Sequence, residues 1–337
     1  MRERVLCFDL MRCVAAVAVI AIHVLAPYRN ELHSIPFDQW FTAVTVNGIS
    51  RWAVPVFILI SGALMLSDTR PFDGRYYIKR RLGKVLIPFL FWSLFYAYFS
   101  GWSALGFDGQ ISQEVLIASL HHATYYHLGF FYYFIPLYFV IPLFQWALRE
   151  YGESVLYSYV AIWGITSLLF LLRIDGFWSA DLWLFSGYLP LGYLLFRKVP
   201  LTKRTVSTST VLGVIALVLT VGMVVQLSLT NAEYSVGRWL SYKTINVVLA
   251  ASMIFMLCRY FGEGLSPKVQ AMVSAISQYS LGIYILHPIF LWPMKEFSWY
   301  QGHPLWVIPL WILISGAGAL ALSWCFSRSK WTRWMLP

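Results

Sequence analysis

With 337 residues, 59% hydrophobic and 12% charged, the chain has about half the charge that an ordinary soluble domain carries. Its net charge of +10 comes with 18% aromatic residues, including 16 Trp and 21 Tyr, rings suited to the two membrane–water interfaces. A soluble globular domain is excluded, and the basic balance follows membrane topology, so it argues little for nucleic-acid binding.

Runs of about 20 apolar residues, long enough to cross hydrocarbon as helices, fill most of the chain. The first, 5–26, carries Asp9 and Arg12 and lacks a small-residue cleavage site, so it reads as a span rather than a cleavable signal peptide. Further spans are expected at 42–66, 82–101, 128–148, 154–173, 181–197, 207–229, 243–261, 271–294 and 304–327. The sixth is short and interrupted by Gly187 and Pro190. Between the third and fourth, 112–122 reads as a short interfacial helix. No internal repeat, low-complexity tract or soluble insert is visible. The expected architecture is all-α: one membrane domain over 1–337, a bundle of about ten transmembrane helices.

Lys and Arg set the expected orientation. With the N-terminus in the cytoplasm, cytoplasmic segments hold 18 of the 25 and the opposite loops hold 5: Arg29, Arg173, Arg238, Lys243 and Lys295. That asymmetry predicts both termini inside. Cys7, Cys13, Cys258 and Cys325 then fall in the membrane half nearer the reducing cytoplasm, where disulfides are not expected and the cysteines serve packing.

Ionisable residues inside spans cost several kcal/mol unless paired or hydrated, so each is a functional candidate. The first span holds Asp9, Arg12 and His23. Asp9 and Arg12 are three apart and can pair on one face, while His23 lies fourteen residues on, close to four turns, along the same stripe. A structural ion pair at the membrane boundary is the plainer reading of Asp9–Arg12. In the second span Arg51 lies below the interface, ahead of Pro55 and Ser61-Gly62, which can loosen the helix or admit a neighbouring backbone. Lys79, Arg80, Arg81 and Lys84 crowd the mouth of the third span. Topology alone would explain them, and so would a phosphorylated cytosolic ligand, because guanidinium groups match phosphate geometry.

His23, His127 and His287 all fall in the outer half of the membrane on this topology. A lone membrane histidine is often a hydrogen-bonded packing residue, but three at one depth point to proton transfer with a hydroxyl or amine. Metal binding is not expected, since there is no HExxH and no supporting acid nearby. Arg12 and His23 are eleven residues apart, about 16 Å along a helix. A phosphate-bearing carrier held by inner cations would need an arm of that length, and the pantetheine of coenzyme A has such reach.

These residues carry a resemblance. From FDLMRCVAAVAVIAIH through RWAVPVFILISGALML and KRRLGKVLIPFLFW to YHLGFFYYFIPLYFVIPL and SQYSLGIYILHP, the chain resembles the acyltransferase-3 family, bacterial membrane proteins that acylate surface polysaccharides and lipid-linked glycans. D-x-x-R followed by His at fourteen is the most specific motif. The YHL and SLGIY…H patterns look most like the subfamily containing the O-acetyltransferase of enterobacterial common antigen.

The resemblance implies a bundle of about ten helices in the bacterial inner membrane and an acetyl-CoA-dependent O-acetyltransferase, with no permanently bound cofactor. The donor would come from the cytoplasm and the acceptor would be a lipid-linked or surface glycan. His23 would be catalytic, with Asp9 and Arg12 supporting it or the donor. Arg12, Lys79, Arg80, Arg81 and Lys84 would hold the donor, while Arg51, His127, His287 and Tyr284 would serve the acceptor or a proton relay. Two positions depart from the family: Lys84 stands where an Arg would grip phosphate bidentately, and Gly129 stands where many relatives place Trp after His-Leu. Some members carry an extra periplasmic hydrolase-like domain that completes transfer to the polymer; without one, this chain is expected to act alone or with a separate periplasmic transferase. A proton-coupled transporter or flippase, and a scaffold subunit of polysaccharide synthesis, are the alternatives.

Overall fold

The computed structural model describes residues 5–336. The chain passes back and forth between two ends of one helical bundle. One end gathers Arg12 and the Lys79–Lys84 cluster and is called the basic end here; the other holds the three histidines.

Helix α1 (Leu6–Val24) runs from the basic end to the histidine end, and the return pass is split into α2 (Phe37–Ser50) and α3 (Ala53–Leu66). The split at Arg51–Trp52 follows from Pro55, which has no N–H to give the Arg51 carbonyl four residues back. The third pass comprises α4 (Gly74–Tyr77), a π turn over Ile78–Leu82 and α5 (Gly83–Phe99). Gly83 N–H reaches the Ile78 carbonyl, and a Cβ there would stand 3.2 Å from that oxygen, so glycine accommodates the wide turn.

Beyond α5 comes a feature the sequence pattern did not announce, a two-stranded hairpin of β1 (Trp102–Ser103) and β2 (Gly106–Phe107). It leads into α6 (Gly109–Ala118), which starts three residues earlier than the expected interfacial helix and buries none of its residues. Asp108 caps it by accepting from Gln110 N at 2.8 Å and Ile111 N at 3.3 Å. Next follow α7 (Gly129–Tyr151), α8 (Ser154–Leu171) and the broken pass α9 (Asp181–Ser186) and α10 (Tyr188–Arg197). The break falls at Gly187, where a Cβ would stand 2.0 Å from the Trp163 ring. That indole instead donates to the Leu184 carbonyl at 2.8 Å.

The remaining passes are α11 (Lys203–Asn231), α12 (Ile245–Gly262), the pair α13 (Pro267–Ser277) and α14 (Ser280–Glu296), and α15 (Pro304–Arg328). The expected single span at 271–294 is thus a pair bent by 67°. Among the described residues, eight helical segments are long and apolar enough to cross a bilayer, nine with the bent pair. The segment 181–197, expected as a full span, falls short of that length because it is broken; it still runs the depth of the bundle. Lys243 holds Asp181 at 2.7 Å at its start, and Lys198 pairs with Glu153 at its end.

Among the described residues ten passes, the broken and the bent one included, bring the end of α15 back to the end where α1 starts. Gly262 packs on Cys7, and Tyr279 Oη lies 3.4 Å from Ser327 Oγ, so the start of α1 and the end of α15 share the basic end. At the centre α3 and α10 cross backbone to backbone: a Cβ on Gly62 would stand 2.1 Å from the Leu189 carbonyl oxygen, and one on Gly192 2.1 Å from that of Leu59. The packing role weighed for Ser61-Gly62 therefore belongs to the glycine. Cys7 and Cys258 are buried, whereas Cys325 is exposed on α15 and does not pack inside as expected.

Candidate active site

Three elements bring imidazoles together at one end. His23 comes from the last turn of α1, His127 from the 3-10 turn Tyr126–Leu128 that opens α7, and His287 from the middle of α14. The His23 and His287 rings stack with centroids 5.2 Å apart and planes 24° apart; His127 and His287 meet edge to face at 5.6 Å. Tyr284 Oη donates to the His127 carbonyl at 2.5 Å, and Tyr96 Oη to the Ile285 carbonyl at 2.6 Å, which ties α14 to its neighbours at this level.

The local sequence sets how His287 is held. Pro288 and the preceding turns leave carbonyls on α14 short of partners, since Pro288 has no N–H to offer Tyr284 O. His287 Nδ1 takes that carbonyl at 2.7 Å, with Ile283 O at 3.2 Å. A carbonyl only accepts, so Nδ1 carries the proton, and in the neutral ring Nε2 is a bare lone pair. Nε2 is buried with no hydrogen-bond partner among the described residues. The ring nitrogens of His127 likewise make no hydrogen bond of ordinary geometry. His23 is partly exposed to a cavity of about 230 Å³ that it lines with Tyr126, His127, Gly129, Tyr242 and Tyr284. A Cβ on Gly129 would meet nothing nearer than Ala123 Cβ at 4.0 Å, so a side chain can start from this position on the cavity wall.

Arg51, at the break between α2 and α3, donates to Tyr242 Oη at 3.3 Å on the edge of this cavity; its Nε is buried and unpartnered. Two contributors were not marked by the sequence as site residues. Tyr126 lies against His23 with centroids 4.6 Å apart, and Lys295 Nζ stands 4.1 Å from the Tyr126 ring centre. Tyr126 could have been found beside His127 in the YHL motif; Lys295 counted only as an outer-loop charge.

At the basic end a second cavity, of about 310 Å³, is lined by Arg12, Arg80, Arg81 and Lys84, with Ser61 and Ser280 further in, and among the described residues no carboxylate lines it. The π turn helps to aim Arg80, Arg81 and Lys84 at this space. Lys79 is exposed and does not line it. Asp9 is buried beside it, 3.1 Å from Arg12 Nη1, and accepts from Ser274 Oγ at 2.9 Å and Ser277 Oγ at 2.7 Å. Asp9 therefore steadies Arg12 and ties α1 to α13. With about 16–21 Å of helix between them and His23, neither Asp9 nor Arg12 touches the imidazole.

Phe130 and Tyr284 line both cavities, and Phe57 lines the cationic one beside them. Phe130 and Tyr284 lie 5.6 Å apart and Phe57 and Tyr284 6.4 Å. Among the described residues no group of three or more His, Cys, Asp or Glu could hold a metal ion. The arrangement offers anion binding at one end and proton transfer at the other, along one line through the bundle.

Residues 5–328 match the profile of the acyltransferase domain of the acyltransferase-3 family. No curated protein and no solved structure matches the chain. The chain belongs to the acyltransferase-3 family and is a multi-pass membrane acyltransferase.

Proposed function

We propose that the protein moves an acetyl group from cytoplasmic acetyl-CoA to a hydroxyl of a surface or lipid-linked glycan, with the basic end facing the cytoplasm of a bacterial inner membrane. The observation that carries this reading is the pair of cavities, cationic and histidine-lined, that share Phe130 and Tyr284 as a common wall. The motif likeness to the enterobacterial common antigen subfamily supports acetyl and glycan as the partners.

Arg12, Arg80, Arg81 and Lys84 hold the phosphates of the donor, and its pantetheine arm passes the aromatic rings toward His23. There the His23 imidazole accepts the proton of the acceptor hydroxyl as its oxygen attacks the thioester carbonyl. The C–S bond breaks, and the leaving thiolate takes up the proton. In the covalent variant, a His23 nitrogen attacks first and expels the coenzyme A thiolate; the acceptor hydroxyl then attacks the acyl-imidazole, the C–N bond breaks, and the hydroxyl proton passes to the imidazole and on to the thiolate. His287 and His127 orient the acceptor or relay its proton. Arg51 and Tyr284 shape the passage rather than exchange protons with substrate.

The test is transfer from labelled acetyl-CoA to membrane glycan, native chain against His23→Ala at matched expression. Loss of about 10²–10⁴-fold is expected, the range for a positioned acid–base group. Equal labelling in both would end this mechanism. Glycan export without any change in acyl content would instead establish the transporter reading.

A further inference from the structure

Cations at the histidine end divide into two groups. Arg238 grips Asp175 with two bonds of 2.8 and 2.6 Å, and Lys243 holds Asp181 at 2.7 Å. Arg29, Arg51, Arg173 and Lys295 have no carboxylate within 4.0 Å among the described residues, and Arg173 lies away from the histidines, beside Gly237. Of the acids at this end, Glu296 accepts from Ala104 N at 2.6 Å and Asp38 faces His303 Nε2 at 3.2 Å, while Glu31 lies within 4.0 Å of no Lys or Arg nitrogen among the described residues.

Two of these cations border the histidine-end cavity through rings that line it, Lys295 against Tyr126 and Arg51 against Tyr242. Lys295 caps Tyr126, and Tyr126 lies against His23. Arg29 is close enough to Lys295 for the two charges to repel. Arg51 enters from below through Tyr242, with its Nε buried and unpartnered. The charged or chargeable groups felt by His23 are Lys295, Arg51 and the other two histidines, none of them acidic. Like charges gathered in a partly apolar place are unfavourable unless an anion joins them.

We propose that the histidine-end cavity receives an anionic oxygen group, a carboxylate or phosphate, bound by Lys295 and Arg29 with Arg51 beneath. This rests on the acyltransferase reading and narrows its substrate. The anion belongs either to the acceptor, as a uronic acid or sugar phosphate, or to the far end of a dicarboxylic acyl group.

The experiment uses the full chain in nanodiscs of neutral phosphatidylcholine and reads the unfolding temperature with glucuronate, succinate, inorganic phosphate or glucose. Because the basic end also binds anions, the informative quantity is the shift in the native chain minus that in Lys295→Met and Arg29→Gln. A shift with the anions, absent with glucose, retained in Lys295→Arg and weakened about tenfold in apparent affinity in the two neutralised variants is expected. Glucuronate or phosphate outperforming succinate places the anion on the acceptor. Succinate outperforming both, with Lys295→Met slowing transfer from succinyl-CoA more than from acetyl-CoA, places it on the acyl group. Equal shifts in native and variant chains, or equal response to glucose, overturn the proposal. Binding is read without turnover, so failure of acyl transfer from either donor would count against the activity and leave the anion result standing.

Discussion

At the scale of single residues, the most telling detail is a proline. Pro288 frees a helix carbonyl, and His287 Nδ1 occupies it at 2.7 Å, so the dipeptide His287-Pro288 fixes the ring that stacks on His23 and leaves its Nε2 the bare nitrogen. Pro288→Ala restores an N–H that competes for the same carbonyl. Transfer is then expected to fall by up to about tenfold, one hydrogen bond's worth, while the unfolding temperature holds or rises. A parallel fall in both would show that the proline serves stability alone. Gly129 is the counterpart on the cavity wall. Gly129→Trp starts an indole from the cavity wall beside His127, so a higher KM for the acceptor with the fold retained is expected. An unchanged KM would mean that the acceptor does not use this space.

At the scale of elements, stability and topology part company. The crossing of α3 and α10 depends on two glycines whose missing side chains let backbones touch. Gly62→Ala drives a Cβ into the Leu189 backbone and is expected to cost about 1–3 kcal/mol, in the range of overpacked cores. Gly222→Ala on α11, where a Cβ meets open space, is expected to be neutral or slightly stabilising by thermal unfolding in detergent. Equal losses in the two variants would sink the close-crossing argument. The loop between α8 and α9 is clipped by Arg238, whose hydrogen bonds hold the Asp175 carboxyl below its ordinary 3.8. A depressed folded value stabilises above the ordinary carboxylate range and loses that contribution as pH falls through the lowered value. The unfolding temperature of the native chain should therefore drop more steeply below pH 4 than that of Arg238→Gln. Matching curves would show that the clip contributes nothing, as exposed pairs often do.

For the whole molecule, ten passes among the described residues place the start of α1 and the end of α15 at the basic end, so reporters fused to either terminus should read the same compartment. A cysteine introduced at Glu31 or Ser298, in histidine-end loops, should be labelled only from the opposite side. Reporters that disagree would require an odd number of crossings. The outer surface explains why helix pattern alone could not orient the spans. On α11, Val211, Val214, Ile215 and Val218 are exposed while Gly213, Thr220 and Ser228 are buried. Lipid is as apolar as a core, so large aliphatic side chains face outward and small or hydroxylated ones pack inside.

What the residues settled by themselves was the class of molecule, nearly every span, and the two sets of charged and imidazole groups. Each of these depends on local hydropathy or on spacing along one helix, and neither needs a partner. Proline and glycine positions also marked where helices break, at Pro55 and Gly187. Tertiary structure decided which groups meet. Asp9, Arg12 and His23 share a stripe of α1, yet rise along the helix puts them at opposite ends, Asp9 against α13 and His23 against His287. Tyr126 and Lys295 joined His23, and Lys79 fell outside the cationic cavity, through packing between segments far apart in the chain. A side chain's neighbours across a helix interface depend on how the helices cross and rotate, and no periodicity within a single helix records that.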